Sequence, residues 1–370
     1  MSEVVFVTWD GGGNVPPAIG IAAELKARGH QVRFLGHAQQ RSRLEEEGFD
    51  FTPFRSAQPW SPLIPASGLS GALRYGRMFT DRGAGRDLLE LLAQSPADVV
   101  VIDALLLGVL DAARSITVPY AALVHTYQQY LVRSWARGPI GLIARTRGMS
   151  PKKLWDAADM VLVTADPTLD PATQSALPAN VRHVGVVQPE AVVESLEETQ
   201  PRVLVSLSTN YFPGQQRTLQ AVLDGLADLS IRVVATTGAV RREDLRKPAN
   251  AELHQTRPHA EVMPTVQAVV GHGGHATTML ALAHDLPLVV LPMHPMLDQK
   301  LIGHSVADQG AAVLLTRKAS PEQIRTAVQH VLESAATRQA AARLGALLRG
   351  QKAATVAVDY LLALGEAGSS

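Results

Sequence analysis

The sequence predicts an α/β fold of two tandem, Rossmann-like doubly wound domains facing a central cleft. Three observations predict it. Short, nearly all-apolar runs recur along the chain, as expected of parallel strands buried on both faces. Segments of helical periodicity separate most of them. The alternation halts at a proline-bounded acidic stretch, "VVQPEAVVESLEETQP" at 186–201, and then restarts. Doubly wound sheets take their ligands at the carboxyl ends of their strands, so a site is expected there.

The elements follow in order. Val4 to Thr8 is the first run, and "DGGGN" turns the chain after it. Pro16 and Pro17 suit a first helical turn, for which Asn14 is a candidate cap. Ile19, Ala22, Ala23 and Leu25 then repeat at helical spacing, Gly29 ends the helix, and "QVRFLG" is the next strand. "ADVVVIDA", "VPYAALVH" and "ADMVLVTA" supply further strands. Between about Ser56 and Gly85 no clean period survives, and the stretch reads as a long irregular loop rich in apolar residues. Past Pro201, "RVLVSL", "IRVVATT", "VQAVVG", "LPLVVLP" and "GAAVLL" are strands, and "QQRTLQAVLDGLAD" is a helix. "AATVAVDYLLALGE" is a last helix with Val356, Tyr360 and Leu361 on one side. The expected organisation is a first domain at 1–187, a linker at 188–201, a second domain at 202–350, and a C-terminal helix at 351–370 packing back on the first domain.

Composition narrows the function classes. The chain has 370 residues, with 34 Lys plus Arg against 34 Asp plus Glu. This neutral balance argues against a nucleic-acid surface and against a polybasic membrane anchor. Cysteine is absent, which removes disulfides, thiolate zinc sites and cysteine nucleophiles. No segment is apolar enough to span a bilayer, and the N-terminus lacks the regions of a signal peptide, so a cytoplasmic protein is expected. The histidines have no metal-ligand spacing, and no metal is expected.

The most informative stretch is "VVGHGGHATTMLALAHDLPLVVLPMHPMLDQ", Val269 to Gln299. A glycine-rich turn from strand to helix presents backbone N–H groups and a positive helix end to an anion, commonly a phosphate. Gly273 and Gly274 permit close backbone approach, His272 is a donor, and Thr277 and Thr278 fall in the first helical turn. Asp298 and Gln299 follow the next strand, and a carboxylate beside a carboxamide suits sugar hydroxyls. The competing reading is a tight turn with buried histidines.

The combination resembles the donor-site signature of the GT-B glycosyltransferases of the UDP-glycosyltransferase superfamily, in particular the bacterial branch that glycosylates natural products. That pattern is HGGxGT, a strand with a proline, then DQ. This chain has HGGHAT, LVVLP and DQ, with Ala276 in place of a glycine. "VSLSTNYFPGQ", "TRPHAEVMPTVQAVVGHGG", "TLDPATQSALPANVRHVGVVQP" and "RGHQVRFLG" extend the resemblance over nearly the whole chain. The resemblance implies that Ser208, Thr209, His272, Gly273, Gly274, Ala276 and Thr277 hold the donor phosphates. Pro258 and Leu280 would lie at the base, and Asp298 and Gln299 at the donor sugar. Trp60, Leu63, Tyr75, Met78 and Phe79 would cover a hydrophobic acceptor, with His125 lining that pocket or acting as base. The implied partners are a nucleotide-sugar and a hydrophobic small molecule such as a polyketide or phenol, with no cofactor; a homodimer is compatible with the pattern.

Two departures sharpen the expectation. Many UDP-sugar users of the family carry a Glu where this chain has Leu280. A carboxylate is worth most against two ribose hydroxyls, so Leu280 favours a dTDP-sugar over a UDP-sugar donor. The second departure is Asn14, which stands where the family places a catalytic His. A carboxamide is no general base near neutral pH. Asn14 then orients the acceptor or caps the helix. Asp10 in the same turn and Asp103 at the end of "VVVID" are the remaining candidate bases, with Asp10 slightly ahead. The leading expectation is an inverting, metal-independent transferase moving a sugar, commonly a deoxysugar in this branch, to a natural-product aglycone. The alternative is a non-catalytic auxiliary protein that binds the sugar nucleotide. An epimerase or cell-wall transferase of the same fold is disfavoured by the missing acidic residue, and an NAD-dependent oxidoreductase by the missing G-x-G-x-x-G spacing.

Overall fold

The apolar runs fold as parallel strands in a computed structural model that describes residues 1–61, 68–187, 191 and 200–368. Most of the stretch 188–201, and Leu63 of the expected acceptor pocket, lie outside the described residues. Two compact units result. Residues 1–61, 68–187 and 352–368 form the first, and 200–351 the second.

The first unit holds β1 (Glu3–Val7), β2 (Gln31–Gly36), β3 (Asp50–Pro53), β4 (Val99–Asp103), β5 (Tyr120–Val124), β6 (Met160–Val163) and β7 (Val181–His183). They form one sheet in the order β3-β2-β1-β4-β5-β6-β7, parallel throughout. Val4 to Val7 are fully buried because β1 is central and covered on both faces. The helix Val15–Ala27 lays Ala18, Ile21, Ala22 and Leu25 into the core. The last helix, Ala353–Gly368, joins that same core through Ala357, Val358 and Leu361.

The stretch from Ser56 to Gly85 is not one irregular loop. It contains the helix Gly68–Phe79 and the start of a second, Arg82–Gln94, capped by Asp81, which accepts from the Gly83 N–H at 2.7 Å. Glycines obscured the first helix. A Cβ on Gly76 would stand 2.9 Å from Ile143 of the helix Pro139–Thr146, so the missing side chain is what lets two helices meet. Glycine is a poor helix former by itself, and tertiary packing overrides the propensity.

The second unit repeats the plan with β8 (Arg202–Ser206), β9 (Arg232–Thr236), β10 (Ala251–His254), β11 (Ala268–Gly271), β12 (Leu288–Val290) and β13 (Ala312–Leu314). Their order is β10-β9-β8-β11-β12-β13, again parallel. Each sheet therefore reverses strand order beside its first strand. The reversal lies between β1 and β4 in one unit and between β8 and β11 in the other. Connections leave these pairs in opposite directions, which opens a crevice at the strands' carboxyl ends.

Candidate active site

The crevice of the first unit is built from the turn after β1 and the end of β4. Asn14 occupies the residue before the helix, but its side chain does not cap it. Its Nδ2 donates to the Trp9 carbonyl at 2.9 Å and to Asp103 Oδ2 at 3.0 Å. Its Oδ1 accepts from the Gly11 N–H at 3.1 Å. The candidate cap gives way because the oxygen that would cap the helix already accepts from Gly11, while the amide protons go to Trp9 and Asp103.

Asp103 keeps 3% of its surface exposed. Besides Asn14, it takes the Leu105 N–H on Oδ1 at 3.0 Å, and His125 Nδ1 lies 3.2 Å from Oδ2. Asp10 is half-buried, and burial raises its carboxyl pKa against the opposing charge of Arg43. The Asp10 carbonyl accepts from Trp60 Nε1 at 2.7 Å.

An aromatic wall adjoins this turn. Trp9 meets Trp60, Tyr75 and Phe79 edge-on at centroid distances of 5.9, 6.5 and 5.1 Å. Tyr75 packs on Trp60, and Phe79 continues to Trp135. Arg74 lies over the Trp60 ring at 4.6 Å, an attraction between cation and ring face. Trp60, Met78 and Phe79 are buried and Tyr75 is half-buried. Three of the expected acceptor residues, Trp60, Tyr75 and Phe79, thus sit in one ring cluster at the β1 turn, and Met78 is buried on the same helix as the latter two. Sequence reasoning missed Trp9, the centre of that cluster. An aromatic residue directly before "DGGGN" was the available signal.

In the second unit the helix His275–Ala283 begins at Gly274, with no side chain capping it. A helix N-terminus of this kind carries the positive end of the helix dipole and points backbone N–H groups outward, the arrangement that suits an anion. Gly273 is left-handed, at φ +81°, and a Cβ there would stand 2.6 Å from the Gln299 carbonyl. Gly274 lies against the His272 ring. Burial pushes the His272 pKa down to about 4, so the imidazole is neutral near pH 7. Ser208 is also left-handed, at φ 103°, with its Oγ accepting from the Asn210 N–H at 3.1 Å. Thr209 beside it is exposed. The β8 and β11 turns thus bring Ser208, Thr209, His272, Gly273 and Gly274 to one end of the sheet. Thr277 Oγ1 lies 3.4 Å from His259 Nδ1, and Ala276 and Leu280 are half-buried on the same helix. Pro258 is exposed, just before the short helix His259–Val262.

The Asp-Gln pair divides. Asp298 is half-buried ahead of the helix Gln299–Asp308. Gln299 is buried, and its Oε1 accepts from the Met293 and His294 N–H groups at 2.7 and 3.0 Å. The carboxamide oxygen is therefore a strut for its own loop, and what Gln299 would offer a sugar is its amide N–H. Among the described residues no group of three His, Cys, Asp or Glu side chains could hold a metal, and no helix is long and apolar enough to cross a membrane.

Two parallel doubly wound units, each with candidate residues at its strand-order reversal, fit a GT-B architecture. Comparison with known proteins agrees. The family "Erythromycin biosynthesis protein CIII-like, C-terminal domain" matches residues 220–364, and the "Glycosyl transferase 4-like domain" matches residues 14–186. The chain is 28% identical to a 4'-demethylrebeccamycin synthase of Lentzea aerocolonigenes, over 97% of this chain and 99% of that one. It is 29% identical to a PGL/p-HBAD biosynthesis rhamnosyltransferase of Mycobacterium bovis (strain BCG / Pasteur 1173P2), over 76% of this chain and 71% of that one. Its fold matches the crystal structure of the glycotransferase of kitacinnamycin with a TM-score of 0.78 at 21% identity, covering 98% of each chain. The two matches and these relatives together support a GT-B natural-product glycosyltransferase, an enzyme that transfers sugars.

Proposed function

We propose that the protein transfers a sugar, with inversion, from a dTDP-sugar to a hydrophobic natural-product aglycone without a metal. The observation that carries this reading is the turn around Gly273. Only a residue lacking Cβ fits there, and the turn feeds straight into the N-terminus of a helix that no side chain caps. Such a terminus stabilises the charge that develops on a departing diphosphate. The neutral His272 adds hydrogen bonding without charge, and Ser208, Thr209 and Thr277 add hydroxyls and backbone groups. Leu280 supports the dTDP preference, because it offers no carboxylate to a second ribose hydroxyl. The aromatic wall from Trp9 to Trp135 supports an apolar, flat acceptor such as a phenol or polyketide. The rhamnosyltransferase relative supports a deoxysugar as cargo.

Asn14 favours a second reading, donor binding without turnover, since its carboxamide accepts no proton. One experiment separates the two. Nucleoside diphosphate release is followed with panels of dTDP- and UDP-sugars, with and without phenolic and polyketide acceptors, and products are weighed by mass spectrometry. Acceptor-dependent release with a sugar-sized mass gain is expected, fastest with dTDP donors. Donor binding with no release across the panel would establish the second reading instead.

A further inference from the structure

We infer that His125 and Asp103 form the proton-accepting pair of this transferase, with Asn14 as the positioning residue that holds the carboxylate. The inference rests on the proposed transferase reading and deepens it. The three residues belong to one unit and meet at one place. Asp103 ends β4, where it pairs in register with Leu123 of β5. His125 lies two residues beyond Leu123, and side chains two apart share a face of a sheet. The strand geometry thus delivers the imidazole beside the carboxylate, with Nδ1 3.2 Å from Oδ2. Asn14 Nδ2 reaches the same Oδ2 from the turn after β1. The chain just after His125 is pinned as well. Buried Asp170 accepts from the Gln128 and Gln129 N–H groups at 2.6 and 3.2 Å and pairs with His183 at 3.0 Å.

Accessibility decides which member of the pair meets the acceptor. The Asp103 side chain is 3% exposed, and both of its oxygens already take hydrogen bonds. The His125 side chain is 15% exposed, so the imidazole is the part that an acceptor reaches. A buried carboxylate beside an imidazole orients it and stabilises the imidazolium that forms on proton uptake. Asn14, a carboxamide where a base was expected, is then explained. It cannot take a proton, but it anchors the Asp103 carboxylate and leaves the proton to the other neighbour.

The step balances. The acceptor oxygen bonds to the anomeric carbon, and the bond from that carbon to the diphosphate oxygen breaks. Its electron pair leaves with the nucleoside diphosphate. The acceptor's hydroxyl proton passes to the imidazole, which later returns it to solvent. Asp10, half-buried in the Asn14 turn, is the rival base.

The test compares the wild-type protein with His125→Ala, Asp10→Asn and the double variant His125→Ala/Asn14→His, using a dTDP-sugar and phenols of graded acidity. Removal of the base should lower kcat about 100-fold or more for weakly acidic phenols, and far less for nitrophenols that ionise unaided. The donor KM should stay near wild type. Asn14→His should restore part of the lost rate, because it places an imidazole against the same carboxylate. Should His125→Ala not fold, His125→Gln replaces it and is read in the same way. An equal loss across all phenols would mark His125 as structural and overturn the inference. So would an acidity-graded loss in Asp10→Asn with His125→Ala unaffected. A wild-type protein that transfers to no acceptor would instead sink the transferase reading, and the inference with it.

Discussion

Gln299 shows how one buried side chain props the turn that carries a candidate site. Its oxygen satisfies two N–H groups at Met293 and His294, and its own carbonyl crowds Gly273. Gln299→Ala would strand both donors, at roughly 1–3 kcal/mol for each unmade bond. Gln299→Glu keeps an acceptor oxygen there. Thermal melts should therefore show a clear loss for Gln299→Ala and a much smaller one for Gln299→Glu; equal losses would refute the strut. Gly273→Ala meets two penalties, a left-handed φ worth about 1–2 kcal/mol and a clash with the Gln299 carbonyl. Donor binding by calorimetry should weaken at least about tenfold, the equivalent of 1.4 kcal/mol. The buried histidines set a pH limit. His37 and His272 are both held near pKa 4 by burial, against 6.5 in the unfolded chain. Above about pH 6.5 neither state binds the proton, and the full stability is present. As pH falls from 6.5 towards 4, the unfolded chain takes up protons that the fold refuses, so stability drops across that window. The melting temperature should fall between those pH values, and His272→Gln should flatten the slope; an unchanged slope would argue against a neutral His272. Residue identity made much of this site legible. Glycines, histidines and an Asp-Gln pair advertise their chemistry by type. The Asn14–Asp103 bond and the commitment of Gln299 were not legible, because they depend on which partner is nearest in space.

At the scale of elements, the parallel strands were legible because burial on both faces forces continuous apolar runs, as in Val4–Val7 and Val99–Ile102. The helix Gly68–Phe79 was hidden for the opposite reason. Its composition answers to a neighbouring helix and not to a period of its own. Gly76 is small because Ile143 fills the space its side chain would take. An added Cβ would meet Cγ2 and Cβ of Ile143 as well as its tip, and a β-branched side chain is stiff there, so Gly76→Ala should already cost about 1–3 kcal/mol and Gly76→Phe should force the helices apart at a greater cost. The same helix carries Tyr75, Met78 and Phe79 of the aromatic wall. Gly76→Phe should therefore weaken acceptor binding while leaving donor affinity intact, since the glycine turn belongs to the other unit. Acceptor and donor titrations on the one variant check this. Equal damage to both would show that the helix matters to the fold at large and not to the acceptor wall.

For the whole molecule, the chain's last segment completes its first unit. Ala353–Gly368 follows the second unit in sequence, yet Ala357, Val358 and Leu361 are fully buried beside Ile21 and Leu25 of the first. The N-terminal unit therefore cannot finish its core until the rest of the chain has been made. Full burial of Val358 and Leu361 contributes roughly 1.5–3 kcal/mol each, a large share of the 5–15 kcal/mol that holds a typical domain. A chain cut after Gln351 should lose the first unit's thermal transition or shift it down by ten degrees or more, on the usual scale of about 2–4 °C per kcal/mol for domains of this size. The second unit keeps its own core, built on Val205, Leu223, Val270 and Val328, and should still melt cooperatively. It should also still bind a nucleoside diphosphate, because Ser208, Gly273 and the helix His275–Ala283 all lie within it. Calorimetry of the truncated chain, with and without dTDP, checks both halves of the argument. A surviving first transition would show the terminal helix to be dispensable packing. A lost nucleotide shift would show that the donor site needs more than the unit that carries its turn.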